Sequence, residues 1–233
     1  WRMGALETYF TYERWSRPRP ALHVNISSLP VTTLPELPAN SFNHLTAVHL
    51  SGLDDLRTPM EQIRRFIAAF PQSTTLQLDN CNLAEMPFAP QQRPGLQHLS
   101  LQNNPLTTTD VTGLAALRSL NLRGTHLEQV PTGIETLEQL NSLNLRNTRI
   151  TTLPQALLER EALLFDINVE GAPLSPTSET ALAAARAQVE RSRGLPADSL
   201  KRMSDGAQGP FPHAESIASA AGRVLLWLPL PAA

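Results

Sequence analysis

The single cysteine and the six histidines are the side chains of this 233-residue chain best suited to nucleophilic, acid–base or metal chemistry. Cys81 has no second cysteine to pair with, which excludes an internal disulfide and makes a reducing compartment the expected setting of the fold. His23, His49 and His98 stand far apart with no helical His-x-x-x-His spacing, so neither zinc nor iron ligation is expected. No GxSxG, Walker loop or GxGxxG occurs, and no acidic pair has a spacing that a regular pattern would enforce. The expectation is therefore no catalytic residue, no metal and no cofactor within this chain. Arg118, Arg123, Arg146 and Arg149 remain, close together in sequence and suited to gripping a carboxylate.

The elements that must position these residues are repeats. The stretches LRSLNLRGTHLEQVP and LNSLNLRNTRITTLP lie 23 residues apart and match at Leu117/Leu140, Leu120/Leu143, Leu122/Leu145, Thr125/Thr148, Leu127/Ile150 and Pro131/Pro154. This is the leucine-rich-repeat pattern LxxLxLxxN/TxLxxLP, in which each copy forms one coil that buries its apolar edge only by stacking on the next. Coil starts at 21, 45, 73, 96, 117, 140 and 164 predict an α/β leucine-rich-repeat solenoid of about seven coils over residues 21–174. Counting each start as slot one, slots four and six point inward, and slot nine holds Cys81, Asn104, Thr125 and Thr148 at the bend. Cys81 is thus expected to be buried and inert. The rest of that row is Leu29, Leu53 and Ala172, so only Asn104, Thr125 and Thr148 could sustain a hydrogen-bonded ladder.

Helical spacing of Met3, Leu6 and Phe10 predicts an N-terminal capping helix within residues 1–20. Met60, Ile63, Ile67 and Phe70 predict a helix replacing the return segment of coil two. Ser175-Pro176 reads as an N-cap with proline at the first helical position, and Gly194 as a stop, giving a C-terminal capping helix over 175–193. Residues 194–233 are expected to form a tail, flexible unless Trp227 and its neighbours dock. No run reaches the length of a membrane span. The opening at Trp1 is read as an excised domain with any export signal upstream.

Slots five and seven are expected to face solvent on a concave wall: Asn25, His49, Gln77, Ser100, Asn121, Asn144 and Asn168, then Ser27, Ser51, Asp79, Gln102, Arg123, Arg146 and Glu170. Amides and hydroxyls on a rigid sheet are pre-organised for hydrogen bonding, so the wall is expected to bind a protein. Arg123 and Arg146 fall on adjacent strands, where like charges repel, with Arg118 and Arg149 on the same coils. Two readings stay open: Arg146 pairs with Glu170 and the others are solvated, or the pair receives a partner carboxylate. Basic and acidic residues number 19 and 21, a balance that gives no pull toward nucleic acid or a membrane surface.

The repeat form from Leu117 to Leu140 resembles that of type III secreted effectors of bacterial pathogens. It is most similar to leucine-rich-repeat members of the Xanthomonas outer protein group, as are Ala21-Leu-His-Val, Leu34-Pro-Glu-Leu-Pro and Phe42-Asn-His-Leu-Thr. The run Asn168-Val-Glu-Gly-Ala-Pro-Leu-Ser is similar to the end of the repeat domain in animal-pathogen effectors that continue into a cysteine-dependent ubiquitin ligase. The resemblance implies secretion into a host cell, action in its cytoplasm or nucleus, and recognition of a host protein by the repeats. It also implies an alternative, that the domain selects the substrate or E2 of an E3 ubiquitin ligase whose activity resides in a separate domain. No cysteine follows the repeats, so no ligase nucleophile can be assigned here.

Overall fold

A computed structural model describes residues 34, 36–53 and 59–206, together with the backbone of 23–25. The expected N-terminal helix, the side chain of Asn25, Ser27 and the segment around Trp227 lie outside the described residues. Seven strands form one parallel sheet in sequence order: β1 His23–Asn25, β2 Ala47–Ser51, β3 Thr75–Asp79, β4 His98–Ser100, β5 Ser119–Asn121, β6 Ser142–Asn144 and β7 Ile167–Asn168. The register places Val24, Val48, Leu76, Leu99, Leu120, Leu143 and Ile167 side by side. From Val48 onward this row is buried, and so are the slot-six leucines Leu50, Leu78, Leu101, Leu122 and Leu145 beneath it. Strands of only a few residues suffice because backbone pairing continues past them: Asn103 N–H donates to Arg123 O at 2.7 Å and Gly124 N–H to Arg146 O at 2.8 Å.

From β2 onward each strand is followed by a left-handed residue at slot eight: Gly52, Asn80, Asn103, Gly124, Asn147 and Gly171. Glycine and asparagine are the residues that tolerate this conformation. At Gly124 glycine is also needed for space, since a Cβ would meet Asn103 Oδ1 at 2.3 Å. At slot nine the expected ladder proves to be one strong rung. Asn104 Oδ1 accepts the N–H groups of Cys81 and Leu83, both at 3.0 Å, and its Nδ2 donates to Leu78 O and Leu101 O at 2.7 and 2.9 Å. Thr125 and Thr148 do not reach the preceding coil; their hydroxyls donate to Leu122 O and Leu145 O within their own turn, at 2.7 and 2.8 Å. A threonine hydroxyl is too short to bridge where an asparagine amide can.

Coil two returns through a helix, α1 (Met60–Ala68), which turns Ile63, Phe66 and Ile67 inward. Buried Arg93 fastens this helix from coil four's threshold. Its Nη1 donates to Phe70 O and Ser73 Oγ at 3.1 and 2.8 Å, and its Nη2 donates to Ile67 O at 2.5 Å, so a cation meets the carbonyl end of the helix. Burial lowers its pKa to about 10, which leaves it charged at neutral pH. Arg160 occupies the same repeat position three coils on and donates to Leu137 O and Leu140 O.

Two short helices, α2 (Gln155–Leu158) and α3 (Glu161–Leu164), precede β7, and α4 (Pro176–Arg193) then covers the end of the stack. Ser175 Oγ accepts Ser178 N–H and Gly194 closes α4 in the left-handed conformation at φ 64°. Within the segment 194–233 expected as a tail, Ser199–Gly206 forms a helix, α5, with Leu200 fully buried, and residues 207–233 lie outside the described residues. Glu190 holds its start, accepting Asp198 N–H at 3.1 Å and Leu200 N–H at 2.9 Å, an anion at a helix N-terminus. Arg186 caps the open side of β7 by donating to Ile167 O at 2.7 Å and to Ser204 Oγ at 2.9 Å. A terminal strand with free carbonyls invites further pairing, and this contact blunts it.

Arg93→Ala removes three buried charge-assisted hydrogen bonds, at a cost of about 3 kcal/mol. The measurement is urea unfolding, where the midpoint falls while the slope is unchanged.

Candidate functional site

The outer face of the sheet, opposite the leucine rows, carries the residues expected to bind. The strands place them in two clean rows, yet much of the first row is withdrawn from solvent. His49, Ser100, Asn121 and Asn168 are buried, as is Asp79 of slot seven, and these five are corrected from exposed to internal positions. His98 is half-buried. Gln77, Gln102, Arg123, Asn144 and Arg146 are half-buried, while Arg118 and Glu170 are exposed. Strands about 4.8 Å apart set outer side chains shoulder to shoulder, so short polar groups bond to backbone and neighbours before they reach water.

Three asparagines show how. Asn121 Oδ1 accepts Arg123 N–H at 3.1 Å, Asn144 Oδ1 accepts Arg146 N–H at 3.0 Å, and Asn168 Oδ1 accepts Glu170 N–H at 2.9 Å. Each slot-five asparagine thus turns the chain so that slot seven projects. Asn168 also donates Nδ2–H to Ser204 O at 3.0 Å, which commits it to α5. The recurring Asn-x-Arg or Asn-x-Glu in register at Asn121, Asn144 and Asn168 was a readable signal for this role.

At the other end of the wall, four residues on three strands form a hydrogen-bonded chain. Ser100 Oγ donates to Asp79 Oδ1 at 2.5 Å, Gln102 N–H donates to the same oxygen at 3.0 Å, and Gln77 Nε2 donates to Asp79 Oδ2 at 2.6 Å. With its amide nitrogen so committed, Gln77 offers Oε1 to His49 Nδ1–H at 2.7 Å. Burial raises the Asp79 pKa despite these donors, and burial lowers that of His49. A serine, a histidine and an aspartate therefore lie close together, but not as a nucleophile and its base. Ser100 bonds to the carboxylate rather than to the imidazole and has no exposed surface, so the set is a polar seam between coils.

The arginines divide. Arg146 Nη2 pairs with Glu170 at 3.2 Å across coils six and seven. Arg123 belongs to none of the ion pairs among the described residues. Arg118 precedes β5 and Arg123 follows it, which sets them at opposite ends of the strand, roughly 16 Å of extended chain apart, so Arg118 is removed from the cluster. Cys81 is buried, with its thiol directed at Leu50 O and Asp79 O at 3.5 and 3.4 Å. Among the described residues no group of three or more His, Cys, Asp or Glu side chains could hold a metal, and no helix is long and apolar enough to cross a membrane. A cleft of about 860 Å³ lies away from the wall, between α1 and the returns of coils three and four, with the Arg64–Glu85 pair at 2.7 Å on its rim.

With that geometry in place, comparison with known proteins supports a leucine-rich-repeat fold. A family model described as Leucine Rich Repeat matches residues 95–117. The fold is similar to that of a leucine-rich-repeat protein of Leptospira interrogans, with a TM-score of 0.52 and 22% identity. That match covers 69% of this chain, which spans 40% of the length of the Leptospira protein. No curated protein matches the chain. A leucine-rich-repeat domain suggests protein–protein interaction.

The polar seam makes stability depend on pH. The unfolded chain binds a proton at His49 near the ordinary imidazole pKa of 6.5, while the folded chain resists it, so stability present above that pH is lost below it. Asp79 acts with the opposite sign, since its folded carboxyl keeps a proton to higher pH than the unfolded one. His49→Gln removes the first effect, and its melting temperature is expected to fall less than the parent's between about pH 7 and pH 6.

Proposed function

We propose that this chain is the recognition domain of a bacterial type III effector that binds a host protein through the outer face of its sheet, in the host cytoplasm or nucleus. The observation that carries the binding reading is the patch Gln102, Arg123, Asn144 and Arg146, half-buried and held by backbone pairing across three successive coils. A backbone fixed in this way needs no ordering on association, which favours binding to a second surface. The effector reading is supported by the resemblance of the repeats, above all Leu117 to Leu140. The chemistry of the wall is amide and guanidinium, suited to peptide groups and carboxylates of a protein partner.

The second reading, that the domain selects the substrate or E2 for a ubiquitin ligase domain elsewhere, is supported by the run Asn168 to Ser175. The only cysteine, Cys81, is buried in the repeat bend, so ligase chemistry on this chain has no thiol to use.

A photo-crosslinking residue placed at Gln102 or Asn144 is expected to capture a host protein from cell extract, while one at exposed Glu135 or Gln139 on the return side is not. Capture from the return side alone, or equally from both, would overturn the assignment of the wall. Incubated with E1, E2, ATP and ubiquitin, this chain is expected to form no ubiquitin conjugates, and conjugates would contradict a pure recognition role.

A further inference from the structure

Arg123 and Arg146 occupy the same slot of consecutive coils, two residues beyond β5 and β6, whose ends Asn121 and Asn144 are paired in register. Both are presented by the same asparagine turn, and the backbone ladder continues beneath them through Gly124 N–H to Arg146 O at 2.8 Å and Asn147 N–H to Glu170 O at 2.8 Å. Two guanidinium-bearing residues are thereby fixed one strand spacing apart, about 4.8 Å between backbones, where their charges repel. One carboxylate answers them, Glu170 in the same slot of coil seven. It reaches only Arg146 Nη2, with both oxygens at 3.2 Å. The carboxylate is half exposed, whereas Arg146 Nε is buried with no hydrogen-bond partner. Arg123 has no carboxylate within pairing distance among the described residues. Two positive charges and one negative charge leave the slot-seven row of coils five to seven one carboxylate short.

We propose that coils five and six form a carboxylate-binding site for an acidic segment of the partner protein, and that Glu170 is its intramolecular placeholder. A partner carboxylate set between Arg123 and Arg146 takes up the donors of Arg123 and shares the Nη groups of Arg146 that Glu170 now holds. It also relieves the repulsion between the two guanidinium groups, and Glu170, half in solvent, yields its share of Arg146 at little cost. Only these two adjacent arginines are involved, and the whole chain carries a formal charge of −2, so a long phosphate backbone is a poorer match than a short acidic stretch of protein. The proposal rests on the wall being the recognition face and adds the chemical character of what it recognises.

The test uses the full chain and a fluorescein-labelled hexaglutamate peptide, followed by anisotropy, with hexalysine and a single-stranded DNA hexamer of comparable charge as controls. Hexaglutamate is expected to bind and hexalysine not, with binding weakened by salt. Arg123→Glu is expected to weaken it by about tenfold, and Glu170→Gln to strengthen it roughly threefold, since the placeholder is gone and the arginines are freed. Unchanged melting temperatures in both variants separate these effects from folding. Weaker or unchanged binding by Glu170→Gln overturns the placeholder, and equal affinity for the DNA overturns the carboxylate assignment. If hexaglutamate binding ignores Arg123 while crosslinks from Gln102 and Asn144 persist, the acidic site fails and the recognition wall stands. Loss of those crosslinks with hexaglutamate binding retained refutes the wall as the protein-binding face.

Discussion

Parallel backbone pairing between consecutive coils holds Val48, Leu76, Leu99, Leu120, Leu143 and Ile167 in one buried row, and no coil keeps its aliphatic edge from water without its neighbour. The turns and the stack end serve that pairing. The left-handed residues of slot eight turn the chain after each strand, and Asn104 bonds the backbone of two coils where the bend would otherwise bury unpaired donors. Among the described residues β7 has no strand beyond it, and there Arg186 and α5 supply hydrogen-bond partners to Ile167 O and Asn168.

Charge is used in two ways that composition does not separate. Arg93, Arg160 and Arg186 are structural, each spent on carbonyl oxygens left over at a helix end, a return turn or a terminal strand. Arg123 and Arg146 stand on the outer face, where a guanidinium has only water or a carboxylate to meet. The same residue type thus closes the backbone on one side of the coil and projects binding groups on the other. The difference lies in the repeat slot it occupies.

The outer wall is narrower than a row of polar letters implies. Alternation along a strand places Ser100 and Asn121 outside, and they are on that face, yet they are buried by their neighbours and by their own bonds to carboxylate and backbone. The half-buried residues available to a partner run through Gln102, Arg123, Asn144 and Arg146, while His49, Gln77, Asp79 and Ser100 form a seam whose polar atoms are turned on one another. Such a seam holds adjacent coils in one alignment, because a shifted strand would leave buried polar groups without partners.

The period of leucines at Leu117, Leu120 and Leu122, and again at Leu140, Leu143 and Leu145, by itself determined which residues face inward and which strands are neighbours, since a repeat that cannot stand alone has one way to stack. The glycine or asparagine at slot eight and the Ser175-Pro176 start of α4 were likewise legible, being local conformational requirements of single residues. Tertiary structure alone decided that Arg93 anchors α1, that Asn168 belongs to α5, that Ser199–Gly206 folds back as a helix, and that among the described residues Arg146 has an ion-pair partner and Arg123 none. Those outcomes depend on which atoms meet across coils some 20 residues or more apart, and on how neighbouring side chains cover one another, which no residue's own type or spacing encodes.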